Sequence, residues 1–119
     1  MEEQTNFPTV NPHAAGIDIG AEKIFVSVDG AQVRNFLTFT SEYRKCIQYL
    51  LEHGIKRVAM EATGVYWIAL HEMLEQSHLE VCLVNPREVS QVKGRKSDVS
   101  DCQWIQKVYS AGLLRQSYI

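Results

Sequence analysis

The sequence predicts an α/β domain, with a mixed sheet and helices packed on its faces. Three observations lead there. The first third carries three consecutive segments of alternating apolar residues, joined by Gly-containing turns. The remainder alternates helical with strand-like periodicity. The chain has 119 residues, 45% of them hydrophobic, which suits one domain with a real core.

The elements follow in order. Residues 1–13 are polar, hold two of the three prolines and show no periodicity, so a flexible leader is expected, with the domain proper over 14–119. Ala14 to Gly20 reads as an apolar strand interrupted by Asp18. Glu22 to Asp29 alternates, with Ile24, Val26 and Val28 on one face, and Gly30-Ala31 makes a turn into a third strand, Gln32 to Thr40. Ser41 is the expected cap of a helix whose apolar face is Ile47, Leu50 and Leu51, stopped at Gly54. Lys56 to Glu61 reads as a buried strand, and Val65 to Gln76 as a helix with Tyr66, Ala69, Leu70, Met73 and Leu74 at core spacing. Glu80 to Val84 is a strand ended by Asn85-Pro86; Arg87 to Lys96 is a basic loop; Asp98 to Leu114 is a final helix. The order is β-β-β-α-β-α-β-α, a five-stranded sheet.

Charge and composition exclude several classes. With 12 basic and 14 acidic residues the net charge is −2, so a polybasic nucleic-acid binder is excluded. No apolar run approaches the ~18 residues of a membrane span, and the first dozen residues lack a signal-peptide core. Three widely spaced cysteines, Cys46, Cys82 and Cys102, point to reduced thiols in a cytoplasm. The four histidines have no zinc spacing with them. Charge is also uneven: residues 1–85 hold 6 basic and 11 acidic residues, and residues 86–119 hold 6 basic and 3 acidic. A basic third beside an acidic cluster suits an enzyme acting on a polyanion.

Four acids do not fit their surroundings. Asp18 sits in Gly16-Ile17-Asp18-Ile19-Gly20, where a buried carboxylate is costly unless paired or on a metal. Glu61 ends an apolar strand before Ala62-Thr63-Gly64, the place where α/β sheets put ligands. Asp98 and Asp101 are spaced i, i+3, so a helix would put both on one face. Each also has a structural reading: helix capping for Asp98 and Asp101, a satisfied strand-end acid for Glu61, a buried hydrogen-bonded acid for Asp18. Converging, the four would repel one another, and divalent cations with oxygen preference resolve that. Two such ions ~4 Å apart can clamp a phosphodiester displacement. Among the basic residues, Arg87, Lys93, Arg95 and Lys96 are candidates for phosphate contact, with a solvated loop as the alternative. Tyr66 and Trp67 are candidates for base stacking, with core packing as the alternative.

These pieces resemble the DEDD-type transposases of bacterial insertion sequences, relatives of the Piv invertase. The resemblance rests on Gly16 to Gly20, Met60-Glu61-Ala62-Thr63-Gly64-Val65-Tyr66-Trp67, Val84-Asn85-Pro86 and Lys96-Ser97-Asp98-Val99-Ser100-Asp101-Cys102, and spans about Ala14 to Leu114. It implies a RuvC-like, ribonuclease H-like fold and a DNA transposase or site-specific recombinase domain. It also implies Asp18, Glu61, Asp98 and Asp101 as Mg²⁺ ligands (Mn²⁺ as substitute) and as the catalytic acids. DNA is the implied substrate, a guide RNA the implied target selector, and the bacterial cytoplasm the location. Members continue into a second domain carrying a nucleophilic serine, so this chain is expected to be the amino-terminal part of a longer protein and inactive alone. No serine here is assigned as nucleophile: Ser97 and Ser100 read as caps.

Two other classes compete. The Gly16 to Gly20 segment followed by a hairpin also resembles the first phosphate loop of actin and sugar-kinase ATPases, a fold that needs a second half. A non-catalytic dimerisation or guide-binding module would instead use exposed apolar residues of the last helix, such as Trp104 and Leu114.

Overall fold

Alternation in the first third produces the expected meander. The computed structural model describes residues 7–61 and 64–115; within the segments read above, residues 1–6, Ala62, Thr63 and residues 116–119 lie outside them. Strands β1 (Ala14–Ile19), β2 (Lys23–Ser27) and β3 (Arg34–Leu37) pair antiparallel in succession. Strands β4 (Arg57–Glu61) and β5 (Glu80–Val84) then extend the sheet parallel to β1, giving the order β3-β2-β1-β4-β5. Helices α1 (Thr40–Glu52), α2 (Trp67–Gln76), α3 (Pro86–Gln91) and α4 (Asp101–Ser110) complete the fold. The β2–β3 turn is built as its sequence suggests: Gly30 has φ +80°, and the Asp29 carboxylate accepts from the Ala31 and Gln32 N–H groups at 2.8 and 2.9 Å.

The period of two divides the sheet into two cores. One face buries Ile17, Ile24, Val26, Val58 and Met60 against α1 and α2. The other buries Ala14, Ala59, Cys82 and Val84 against α3 and α4. The small residues on this second face let α4 lie close. At Gly16 the approach is extreme: a Cβ would stand 2.5 Å from the Cys102 carbonyl oxygen and the Gln106 nitrogen.

Several expected details differ. In α1 the buried set is Tyr43, Cys46, Ile47, Tyr49 and Leu50; Leu51 falls off that stripe and is half exposed. Helix α2 starts at Trp67, so Tyr66 is its cap residue and is exposed, as is Ala69; Leu70 and Leu74 make its buried seam. The basic stretch after β5 is not all loop. Asn85 accepts from the Arg87 N–H at 2.8 Å and Pro86 takes the first helical position, which starts α3. Helix α4 begins three residues later than expected. Ser100 and Gln103 form a capping box, the Ser100 N–H donating to Gln103 Oε1 at 2.7 Å, so Asp98 lies in the preceding turn. It ends early too, because Gly112, with φ +75°, supports a Schellman stop in which the Leu113 N–H donates to the Val108 carbonyl at 3.0 Å. Helix α4 buries Cys102, Trp104, Ile105, Val108 and Tyr109; Trp104, which a partner-binding module would expose, is 1% exposed and its indole N–H donates to the Val89 carbonyl at 3.1 Å. The described part of the leader is bonded to the end of α4. Val10 and Asn11 N–H groups donate to the Ser110 carbonyl at 2.8 and 2.9 Å, and the Phe7 ring lies 6.1 Å from that of Trp104.

Candidate active site

Register decides which acids meet. Gly16 pairs with Ala59 and Ile17 with Met60 between the parallel strands β1 and β4. Asp18 and Glu61 therefore leave the carboxyl ends of neighbouring strands on the same face, the one α4 covers. Helix α4 crosses β1 at Gly16 and presents Asp101, its first residue, to that end of the sheet. Its placement is fixed by polar ties as well as packing. Gln106 Nε2 donates to the Ala14 carbonyl at 3.2 Å, and Gln103 Nε2 donates to the Ala31 carbonyl in the β2–β3 turn.

The carboxylates feel one another. Glu61 is held well above the usual carboxylate range, at about 7, by partial burial first and then by the negative charges of Asp18 and Asp101. Asp18 is raised by burial and by Asp101. Arg95 opposes the shift at both. Its guanidinium donates to Asp101 Oδ1 at 2.8 Å and, through Nε and Nη2, to the Val99 carbonyl at 3.0 and 2.8 Å. Arg95 thus closes the turn that carries Asp98 and pairs with Asp101. A cleft of about 480 Å³ opens here, walled by Asp18, Asp98 and Asp101 together with Arg95, Phe25 and Val33.

The donor set has the chemistry of a site for a hard divalent cation: carboxylate oxygens from two strand ends and a helix start, with repulsion that a cation would relieve. Among the described residues, no three His, Cys, Asp or Glu side chains are gathered tightly enough to enclose an ion as they stand. One Asp101 oxygen is paired with Arg95 at 2.8 Å.

The other expected site residues are spread more widely. Lys96 lines a second cleft of about 570 Å³ together with Asp98 and Lys107. Arg87 is exposed on α3 and Lys93 is exposed after it; neither lines the two clefts. Tyr66 is 51% exposed, so the core-packing alternative does not hold for it. Trp67 is partly buried against the first core, and its indole N–H donates to the Gly64 carbonyl at 3.0 Å. Ser100 is a cap, as expected. Two features escaped the sequence reading. The Arg95–Asp101 pair spans a loop with no periodicity to announce it. The place of Phe25 beside Asp18 was legible in principle, from alternation and a hairpin register centred between Ala21 and Glu22.

Comparison with known proteins agrees with this architecture. The model of the DEDD transposase family of IS110, described as "Transposase", matches residues 15–119. Among solved structures, RuvC of T. thermophilus, determined in complex with a Holliday junction substrate, superposes with a TM-score of 0.61 at 12% sequence identity. The match covers 87% of this chain and 98% of that one. That likeness establishes the RuvC-like, ribonuclease H-like fold. A search of curated proteins gives no match. Neither competing class gains support from the family match or the RuvC likeness, and Trp104 is buried. Among the described residues no helix is long and apolar enough to cross a membrane.

Proposed function

Because the chain belongs to the IS110 family of DEDD transposases, we propose that Asp18, Glu61, Asp98 and Asp101 are the metal-holding acids of its DNA-cleaving site. The observation that carries this is geometric: the β1–β4 register puts Asp18 and Glu61 at one end of one sheet face, and Asp18 shares a cleft there with Asp98 and Asp101. Mg²⁺, or Mn²⁺ in its place, would supply Lewis-acid polarisation of the scissile phosphate and activation of the attacking group.

The chain's own residues prepare that chemistry. Asp18 and Glu61 are fixed by strand register, and Asp101 by the capped start of α4. Asp98 sits outside the helix, on the turn braced by Arg95. Glu61 holds a proton near neutrality and releases it when the repulsion around it is neutralised. Arg95 balances the acids and exchanges Asp101 for a DNA phosphate, with Arg87, Lys93 and Lys96 tracking the backbone further out. Tyr66, exposed after β4, is available to a base, with Trp67 behind it. The domain comprises residues 14–119. In the whole protein it works with a serine-bearing second domain, a guide RNA and further copies of itself.

The test is cation binding and strand cleavage in the full-length transposase. Asp18→Asn and Asp101→Asn should each lower strand cleavage at least ~100-fold, in line with the loss of a metal-site function, and should weaken Mn²⁺ binding measured by calorimetry. Unchanged cleavage by either variant would overturn the assignment.

A further inference from the structure

Phe25 is the cross-strand partner of Asp18 in the β1–β2 ladder. Residues directly opposite in an antiparallel pair project from the same face with Cβ atoms about 4.5–5.5 Å apart. The Phe25 ring therefore stands beside the first carboxylate on the face that α4 leaves open. It belongs to neither core, and its strand neighbours Ile24 and Val26 are wholly buried on the opposite side. Phe25 is 37% exposed and Val33 43%, and both wall the cleft of about 480 Å³ that Asp18, Asp98 and Asp101 share.

An apolar wall in an acidic cleft needs an occupant. A protein segment seated permanently on Phe25 and Val33 would fill the cleft and seal the carboxylates from any phosphodiester, whereas a serine that reaches in with the substrate would leave room for one nucleotide. The occupant compatible with an open site is the substrate itself. One nucleotide is polar at its phosphate, flat and weakly polar at its base, and small enough for this volume; a helix or a strand pair is not.

We propose that Phe25, backed by Val33, receives the unstacked base of a nucleotide at the scissile phosphate, so that the site selects DNA with an unpaired or splayed base there. The proposal rests on the metal-site reading above. A ring can stack only on a base whose face is free, so a fully paired duplex must open at this step before it is held.

The test uses the whole chain with Ca²⁺ and three oligonucleotides that differ at one position: an unpaired 2-aminopurine, an abasic site, and a paired base. Phe25→Ala should weaken binding of the unpaired probe ~10-fold, the order expected for one stacked base, and abolish the change in 2-aminopurine emission. It should leave the abasic and paired probes unaffected. Phe25→Trp should restore both readouts. Equal loss on the abasic probe would overturn the proposal, since the ring would then be packing on sugar or holding the fold; so would no loss at all. Asp18→Asn separates the two layers. It should remove cation dependence from every probe while the preference for an unpaired base over an abasic site persists. Persistent cation dependence would sink the metal reading, and loss of the base preference would sink the role of Phe25.

Discussion

At the scale of single residues, the site is a balance between repelling carboxylates and one guanidinium. Arg95 is tied to Asp101 and to the Val99 carbonyl, with the ion pair largely in reach of solvent. An exposed pair of this kind is worth about 0.2–1 kcal/mol. Arg95→Gln should therefore tighten Mn²⁺ binding a few-fold in calorimetry, by releasing Asp101. The same change should weaken DNA binding and reduce its salt slope by about one unit. Opposite signs in the two measurements are the signature of an exchange; weaker binding of both would show Arg95 to be a brace for the turn and nothing more. Glu61 gives a second prediction. Its ordinary value is 4.5 and the fold raises it to about 7. A raised carboxyl contributes stability that is present below about pH 4.5 and lost as pH rises through about 7. Asp18 is shifted the same way. Without divalent cation, the melting temperature should fall from pH 5 to pH 8. Glu61→Gln should flatten much of that slope, and millimolar Mg²⁺ should reverse most of it at pH 8. A slope unaffected by Glu61→Gln would place its origin elsewhere.

At the scale of elements, the decisive contact is α4 on β1. Gly16 is the only residue type that fits between the strand and the Cys102 and Gln106 backbone. Gly16→Ala should push α4 away, destabilising the fold by about 3 kcal/mol, the upper end of the overpacking range, and shift Asp101 relative to Asp18. Denaturant melts would read the first effect and Mn²⁺ affinity the second. The strands were legible because alternation reports burial directly: β1, β2, β4 and β5 lie within a residue or two of their expected bounds. The helices were less so. The signal for α3, Asn85 followed by Pro86, also ends a strand, and strand-ending was the reading chosen. The start of α4 was misplaced because Asp98 and Asp101 have helical spacing, while Ser100 and Gln103 cap the helix between them. An exposed Trp104 belonged only to the non-catalytic alternative, and its burial with Ile105 and Val108 removes that contact.

At the scale of the whole molecule, the two faces of the sheet divide the labour. The α1 and α2 side is a continuous apolar core. The α3 and α4 side is interrupted by Asp18, Glu61 and Asp101 at one end. An acid inside an apolar strand was visible in the sequence as an anomaly, and this made Asp18 the strongest candidate before any coordinates. That Glu61 shares its face follows from parallel pairing of β1 with β4, which needs the topology. The net charge of −2 takes on meaning at this scale too: on the proposed reading, the site's acids would be neutralised by cations from outside the chain.

The tie between Gln106 and the Ala14 carbonyl joins residues 92 positions apart in sequence. The first strand of the sheet waits for the last helix. Pairings this distant form late, because a long loop must close before they contribute. During synthesis, the sheet strands emerge from the ribosome before α4 does. A nascent chain lacks Asp98 and Asp101 until nearly all of the domain has been made, so the end of the sheet that carries Asp18 and Glu61 is completed last.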